Sequence, residues 1–574
     1  MRLLVLPLLF SLLLSSSVFS QKAVNLSIDE NTENKILLMN DANTPLPNNA
    51  KRVRELIVNP LLQKHGKIEI NDTLILELFN NTKYKAIIEK TTLDINNSSI
   101  LRAKIEGLDY SYVFISSNNG KTLMTVDLPE KDATYRLFYN EQLGNHLLIE
   151  VDKSKNDEIE NVPSMIPPAD SVNGTSTLSK KKENVIGSET VADNAPLSDP
   201  GPVVISLMIV YTPAAASWAA TNEGGISNTI ASIMNKSQLA LDNSNLGITL
   251  DLVHSAQVNY VELHNNTDLD NLTNTNDGYM DEVHTWRNDY YADLVVLLEE
   301  TDFTGGLGWL LNNKYGSPSY GFSLTRVQQA SWTYTVIHEI GHNMGAHHHK
   351  EQNFQPGPTE WWNWTDNTWS AGGRWTGTDN GKYCTIMTYE NGQYFSDGIT
   401  HTRVPYFSDP NTIYIGAATG DAVNANNVVT FLETKAVISN YKINPVPENL
   451  QVSNQTISNG TSECFNATNQ LTVAGNGYTV IVEDLASANF IAGESIRFLP
   501  GFYAHAGSSV NAYITTNDTY CNNFVQAVAS ASEIIADNND FKSANTYTST
   551  FKETIDKQQN IIITTVQFLK SIMI

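Results

Sequence analysis

Up to about Val151, apolar residues come in short blocks or alternate with polar ones. "DTLILELF" from Asp72, "YKAIIEK" from Tyr84 and "SYVFISSNNGKTLMTVDL" from Ser111 carry this pattern. A period of two marks strands with one buried face, and Asn119-Gly120 supplies a hairpin turn. Residues 21–151 therefore read as a β-rich domain. Asp152 to Pro202 breaks the pattern with Pro163, Pro167, Pro168, Pro196, Pro200 and a Lys180-Lys181-Lys182 run. That stretch has too little apolar surface to offset the entropy of ordering, so 152–202 reads as an exposed linker. At Val203 the regime changes. "VVISLMIVYTP" is apolar without alternation, as suits a strand buried on both faces. A helix is predicted around Asn228 to Leu246, then a strand in "ITLDLVHSAQVNY", a helix near Asp281 to Tyr290, and a buried strand at Ala292 to Glu300. This β-α-β-α-β order predicts an α/β domain over 203–443, a mostly parallel twisted sheet with helices packed on it. A last helix, from about Ala425 to Tyr441, closes it. Beyond Pro445, glycines punctuate short strand-like runs, which makes 444–525 an all-β module. Residues 526–574 form a tail without a motif. Its end, "NIIITTVQFLKSIMI", is short and broken by Lys570, so it reads as a core or interface helix rather than an anchor.

At 574 residues the chain is too long for one core. "MRLLVLPLLFSLLLSSSVFSQ" has a basic Arg2, an apolar run to Leu14, and Val18 and Ser20 placed for cleavage before Gln21. Residues 1–20 thus read as a secretory signal peptide, too short in its apolar core to span a membrane. No later stretch approaches about twenty apolar residues, so no membrane span is expected. A formal net charge of −25 argues against nucleic acid as a partner and suits a secreted protein. Of three cysteines, Cys464 and Cys521 are placed to pair within the C-terminal module, leaving Cys384 either free and buried or bonded otherwise.

The densest chemistry lies in "SWTYTVIHEIGHNMGAHHHK", Ser331 to Lys350, which holds five of the twelve histidines. His338 and His342 are four apart, so on a helix both imidazoles leave one face, as two ligands of one zinc ion must. Glu339 lies roughly 100° further round, placed to reach a water at the metal rather than the metal itself. Gly345 can take the left-handed conformation that ends the helix and turns the chain back. That turn brings His348 within reach as a third ligand, while the flanking His347 and His349 point elsewhere. His505 stands without a second ligand near it in sequence and reads as structural.

H-E-x-x-H-x-x-G-x-x-H, followed by "YCTIMTY" from Tyr383 to Tyr389, resembles the metzincin zinc endopeptidases. The segment from Val203 to Lys442 is similar to the reprolysin-like branch, and especially to peptidyl-Asp metalloendopeptidases. The resemblance implies one catalytic Zn2+ on His338, His342 and His348, with Glu339 as general base in peptide-bond hydrolysis. Met387 would be the Met-turn residue packed beneath the ligands. Tyr389 matches the tyrosine that some members bring to the metal or the oxyanion and others lack. "GGLGWLL", Gly305 to Leu311, would be the edge strand on which an extended substrate pairs. Arg403 lies in the loop that walls the S1′ pocket in the family. It is placed either to pair with an acidic side chain or as a solvated, structural arginine. Trp361, Trp362, Trp364, Trp369 and Trp375 either line the cleft or pack an inserted loop. Two departures stand out. His349 follows the third histidine where many relatives have Asp, and "RVQQASWTY" holds no partner for the Met-turn cysteine.

A β-rich domain and linker upstream of a protease resemble a propeptide, so the chain reads as a secreted zymogen acting on protein or peptide substrates. With no cysteine between Gln21 and Pro202, latency has to rest on a steric block, a carboxylate or a backbone oxygen. Calcium is compatible with so Asp- and Asn-rich a chain, but no calcium loop is legible. The competing class is a surface adhesin on a protease-like scaffold, against which the retained Glu339 speaks.

Overall fold

The computed structural model of the chain describes residues 22–27, 47–155, 158–159, 199, 201–263, 265–358, 369–442, 446–515 and 520–521. The expected signal peptide, most of the linker, Trp361, Trp362, Trp364 and the tail from 526 lie outside these residues.

The N-terminal region builds one nine-stranded sheet. Its strands are β1 (Ala23–Asn25), β2 (Ala50–Leu56), β3 (Thr73–Phe79), β4 (Thr82–Leu93), β5 (Ser99–Ile105), β6 (Tyr112–Asn118), β7 (Lys121–Leu128), β8 (Ala133–Asn140) and β9 (Asn145–Val151). From β3 to β9 each strand pairs antiparallel with the next, so hairpin after hairpin lays down an uninterrupted meander. Alternate side chains such as Leu74, Leu76, Val113, Ile115, Met124 and Val126 fill its core.

The second sheet runs in the order β11-β10-β12-β14-β13. Here β10 is Val203–Tyr211, β11 Ile248–Gln257, β12 Leu294–Glu299, β13 Gly306–Gly308 and β14 Phe322–Arg326. Four strands are parallel, and β13 closes the edge antiparallel to β14. The unbroken apolar run of β12 has its reason in two covers. Leu294, Val296 and Leu298 face one core, and Val295 and Leu297 face another. The first core is sealed by α2 (Ile226–Asn243), α6 (Thr335–Asn343) and α7 (Asn427–Ile438), the second by α3 (Asn265–Thr273) and α4 (Asp281–Asp289). Between β10 and α2 stands α1 (Pro213–Asn222), capped by the Thr212 hydroxyl, which accepts from the Ala215 N–H. A short turn, α5 (Val327–Ala330), leads into α6.

Three boundaries differ from the sequence reading. The expected helix to Leu246 ends at Asn243, and the one to Tyr441 ends at Ile438. Only Gly306–Gly308 of the expected edge strand joins the ladder, because the chain then bends inward to bury Trp309, Leu310 and Leu311.

Helix α2 carries a polar face that is nonetheless buried, since β5, β6 and β7 lie across it. Lys236 Nζ meets Asp127 Oδ2 at 2.6 Å over the rings of Phe114 and Tyr334. Arg102 pairs with Asp242 at 2.7 Å, Arg136 with the fully buried Glu223 at 2.8 Å, and Asn235 donates to the Leu101 carbonyl. The two sheets are therefore joined through charges and hydrogen bonds as much as through apolar contact.

Nine short strands between Asn449 and Ile514 go in turn to three three-stranded parallel sheets, giving three coils of a triangular solenoid. Leu471, Val473, Phe490, Phe498 and Phe502 fill its interior. A Cys464–Cys521 disulfide ties the first coil to the end of the described chain, and Cys384 is buried and takes no part in it.

Candidate metal centre

Helix α6 is held beneath the edge strand by Asn343, whose side-chain amide donates to the carbonyls of Trp309 and Phe322 at 2.8 and 3.0 Å. Gly345 follows in the left-handed region at φ +94°, and the chain reverses there. The reversal brings His348 back against the two helix histidines. His338 Nε2 and His342 Nε2 lie 3.0 and 3.1 Å from His348 Nε2. Among the described residues this is the one group of three or more His, Cys, Asp or Glu whose ligand atoms converge, all within 4.8 Å of one another.

The other ring nitrogens are each placed on a backbone carbonyl: His338 Nδ1 on Ile386 at 2.8 Å, His342 Nδ1 on Ala346 at 2.8 Å, and His348 Nδ1 on Gln355 at 3.2 Å. Donating there fixes the tautomer and leaves three bare Nε2 atoms facing one point. Burial pushes all three imidazoles below their ordinary pKa, His342 to about 4, so they stay neutral, as ligands must. Tetrahedral zinc with Zn–N bonds of about 2.0–2.1 Å separates its ligand nitrogens by about 3.3 Å. The observed spacings fit after a small expansion.

His347 and His349 stand outside this group. The His347 backbone bridges to Ala371, and His349 Nδ1 accepts from the Glu351 N–H. His505 also lies elsewhere.

Glu339 is buried beside the edge strand. A Cβ on Gly306 would lie 2.5 Å from Glu339 Oε1, and one on Gly308 would lie 3.2 Å from Oε2. The glycines of "GGLG" thus clear room for this carboxylate, a close approach that a strand of ordinary residues forbids. Burial drives the Glu339 carboxyl well above its usual pKa, and the Arg403 charge pulls against that rise.

Met387 is fully buried. Its sulfur packs on Gly341 of α6, where a Cβ would come within 2.7 Å. The Tyr389 ring lies tilted at 49° to that of His348, with centroids 4.8 Å apart, and its hydroxyl donates to Gln355 Oε1 at 2.9 Å. Trp375 sits in a strand, Arg374–Thr376, packed among Tyr383, Tyr406 and Tyr414, so it belongs to a side core rather than the cleft.

The Arg403 side chain is nearly enclosed and already oriented. Its Nε and Nη2 donate to the Thr388 carbonyl just past Met387, and its backbone N–H donates to Glu390 Oε1 at 2.6 Å. Its Nη1 meets Glu158 Oε1 at 2.7 Å. The neighbouring Ile159 makes two hydrogen bonds with the Gln329 side chain. The reading of 152–202 as an exposed linker therefore does not hold at these two residues, which are half-buried against the 203–443 domain. A composition argument cannot see a docking site 245 residues away.

Residues 202–408 match the model of a reprolysin-type family described as metallo-peptidase family M12. The chain is 30% identical over 335 residues to a peptidyl-Asp metalloendopeptidase of Stenotrophomonas maltophilia, covering 58% of this chain and 70% of the relative. It is 28% identical over 303 residues to one from Xanthomonas campestris, covering 52% and 63%. A crystal structure of metalloproteinase-II from Bacteroides fragilis aligns with 50% of this chain and 84% of that one, at 12% identity and a TM-score of 0.31.

Proposed function

We infer the working of this site from its kinship: the chain belongs to metallopeptidase family M12 and is a zinc metalloendopeptidase. His338, His342 and His348 are the proposed ligands, and Glu339 the general base. The observation that carries this reading is the convergence of three Nε2 atoms whose Nδ1 partners are all backbone carbonyls. Zinc held there supplies Lewis acidity, lowering the pKa of water to about 7 and polarising the scissile carbonyl.

The remaining steps fall to the protein. An extended peptide lies along β13, the edge strand of the sheet among the described residues. Glu339 takes the proton of the attacking water and hands it to the departing amine, so no covalent enzyme intermediate forms. Met387 does no chemistry; it fills the space under Gly341 and keeps the Ile386 carbonyl on His338. The Tyr389 hydroxyl would have to leave Gln355 to assist the oxyanion. Arg403, oriented by Thr388 and Glu390, reads an acidic side chain of the substrate, a preference in keeping with the relatives' name.

The N-terminal sheet is proposed as a propeptide of a secreted zymogen. Its contacts with α2 through Lys236–Asp127 and Arg102–Asp242, and with the end of α1 through Arg136–Glu223, support this, since water can take over such groups when the partner leaves. The Cys464–Cys521 disulfide supports export to an oxidising compartment. The experiment is proteolysis of casein by the purified enzyme. A chelator should protect the substrate, and Glu339→Gln should keep zinc but lose activity. Cleavage by that variant at near the wild-type rate would refute the mechanism.

A further inference from the structure

Two residues far upstream of the catalytic domain are docked in its cleft. The Glu158–Arg403 pair has side chains only 15% and 6% exposed, whereas an incidental surface pair leaves both in water. The guanidinium is set without Glu158, by the Thr388 carbonyl and the Glu390-anchored backbone, so it is a carboxylate receptor built in advance. Arg403 also stands close enough for its charge to act on both His338 and Glu339.

The next residue is held like a strand. Ile159 N–H donates to Gln329 Oε1 at 3.0 Å, and its carbonyl accepts from Gln329 Nε2 at 3.3 Å. The Gln329 amide, fully buried and also bonded to Thr335 at the start of α6, imitates the peptide group of a neighbouring strand. Gly305 makes the approach possible, because a Cβ there would fall 1.8 Å from the Ile159 carbonyl oxygen. Gly306, against which Glu339 packs, follows directly. Glu158 and Ile159 thus run from the specificity arginine to the start of the edge strand, where a substrate would have to lie.

We propose that Glu158 is a built-in substitute for the acidic side chain of a substrate, and that its pairing with Arg403 holds the unprocessed chain latent. This rests on the reading of Arg403 as the residue that selects acidic substrates. It adds an occupant for that site and a chemical reason for latency in a propeptide without cysteine. The block is competitive in kind: the same receptor serves the latch and the substrate, so removing the segment frees it.

The test uses the full-length chain, shown by intact mass to be unprocessed before and after the assay. Initial rates are measured on two fluorogenic peptides identical except for Glu or Gln at one position. Glu158→Gln should raise the rate on the Glu peptide by about tenfold or more over the wild type, since it removes the charge from a charge-assisted hydrogen bond. Glu158→Lys, which sets like charges together, should raise it at least as far. Unprocessed wild type that is already as fast as processed enzyme, or two variants as slow as wild type, would overturn the latch. The Arg403 reading is tested separately, on processed Arg403→Gln enzyme with the same peptide pair. If the preference for Glu survives, the reading of Arg403 falls. If the preference is lost while both Glu158 variants stay latent, the latch alone falls.

Discussion

Replacing Gly341 by alanine probes whether Met387 supports the metal site or merely fills space. The added methyl would lie 2.7 Å from Met387 Sδ, 3.4 Å from Phe407 Cε1 and 3.5 Å from Met387 Cε. Ordinary contacts fall near 3.5–4.0 Å, so the sulfur must yield by about 1 Å. Overpacking of this kind costs about 1–3 kcal/mol, and alanine returns about 1 kcal/mol of helix propensity over glycine. The net loss is then about 0–2 kcal/mol, which the fold survives. The larger effect should fall on the metal. Met387 adjoins Ile386, whose carbonyl sits 2.8 Å from His338 Nδ1, and loosening such a support typically costs 10–100-fold in metal affinity or activity. Zinc affinity measured by competition with a chromophoric chelator, alongside a thermal melt, separates the two effects. Weakened zinc binding with a melting point within a few degrees of wild type is expected. The same change made in a Met387→Ala background should cost less, because the sulfur is no longer there to displace. Unchanged zinc affinity in Gly341→Ala, or strict additivity in the double variant, would refute the reasoning.

Two further outcomes follow from the same structure. His348→Ala should lose zinc while His347→Ala retains it, as read by metal analysis of each purified variant; the reverse result would reassign the third ligand. His146, buried in the N-terminal sheet and accepting from the Thr122 N–H, has its pKa lowered to about 4 by desolvation. The folded state therefore refuses a proton that the unfolded chain takes up below about pH 6.5, so this sheet should weaken as pH falls. The loss from this group between pH 7 and pH 5 is about 2 kcal/mol, seen in urea melts and reduced in His146→Gln; equal losses in both proteins would discount the histidine.

What could be read from the sequence differs in kind from what could not. The approach of His338, His342 and His348 was legible because helical spacing and one left-handed glycine are local properties. The parallel core was legible because an unbroken apolar run such as β12 has few other homes. The roles of Gly305, Gly306 and Gly308 were not, since each clears a group distant in sequence, Ile159 or Glu339. A strand pattern with three glycines does signal a close approach, without saying of what. The burial of the α2 polar face was equally hidden. Lys236 and Asn235 look like a solvent face until a second sheet covers them. Docking of Glu158 escaped because a two-residue contact leaves no mark on composition.

The Cys464–Cys521 bond also sets a path for mechanical force. Cys464 lies in the first coil of the solenoid, and Cys521 follows the last strand of the third. Tension applied to the chain beyond Cys521 passes through the disulfide to Cys464 and on toward the catalytic domain, leaving residues 465–520 as a slack loop. The second and third coils carry no load while the bond is oxidised. A pull on that end strains a covalent link rather than unzipping parallel ladders, and only reduction exposes the coils to it.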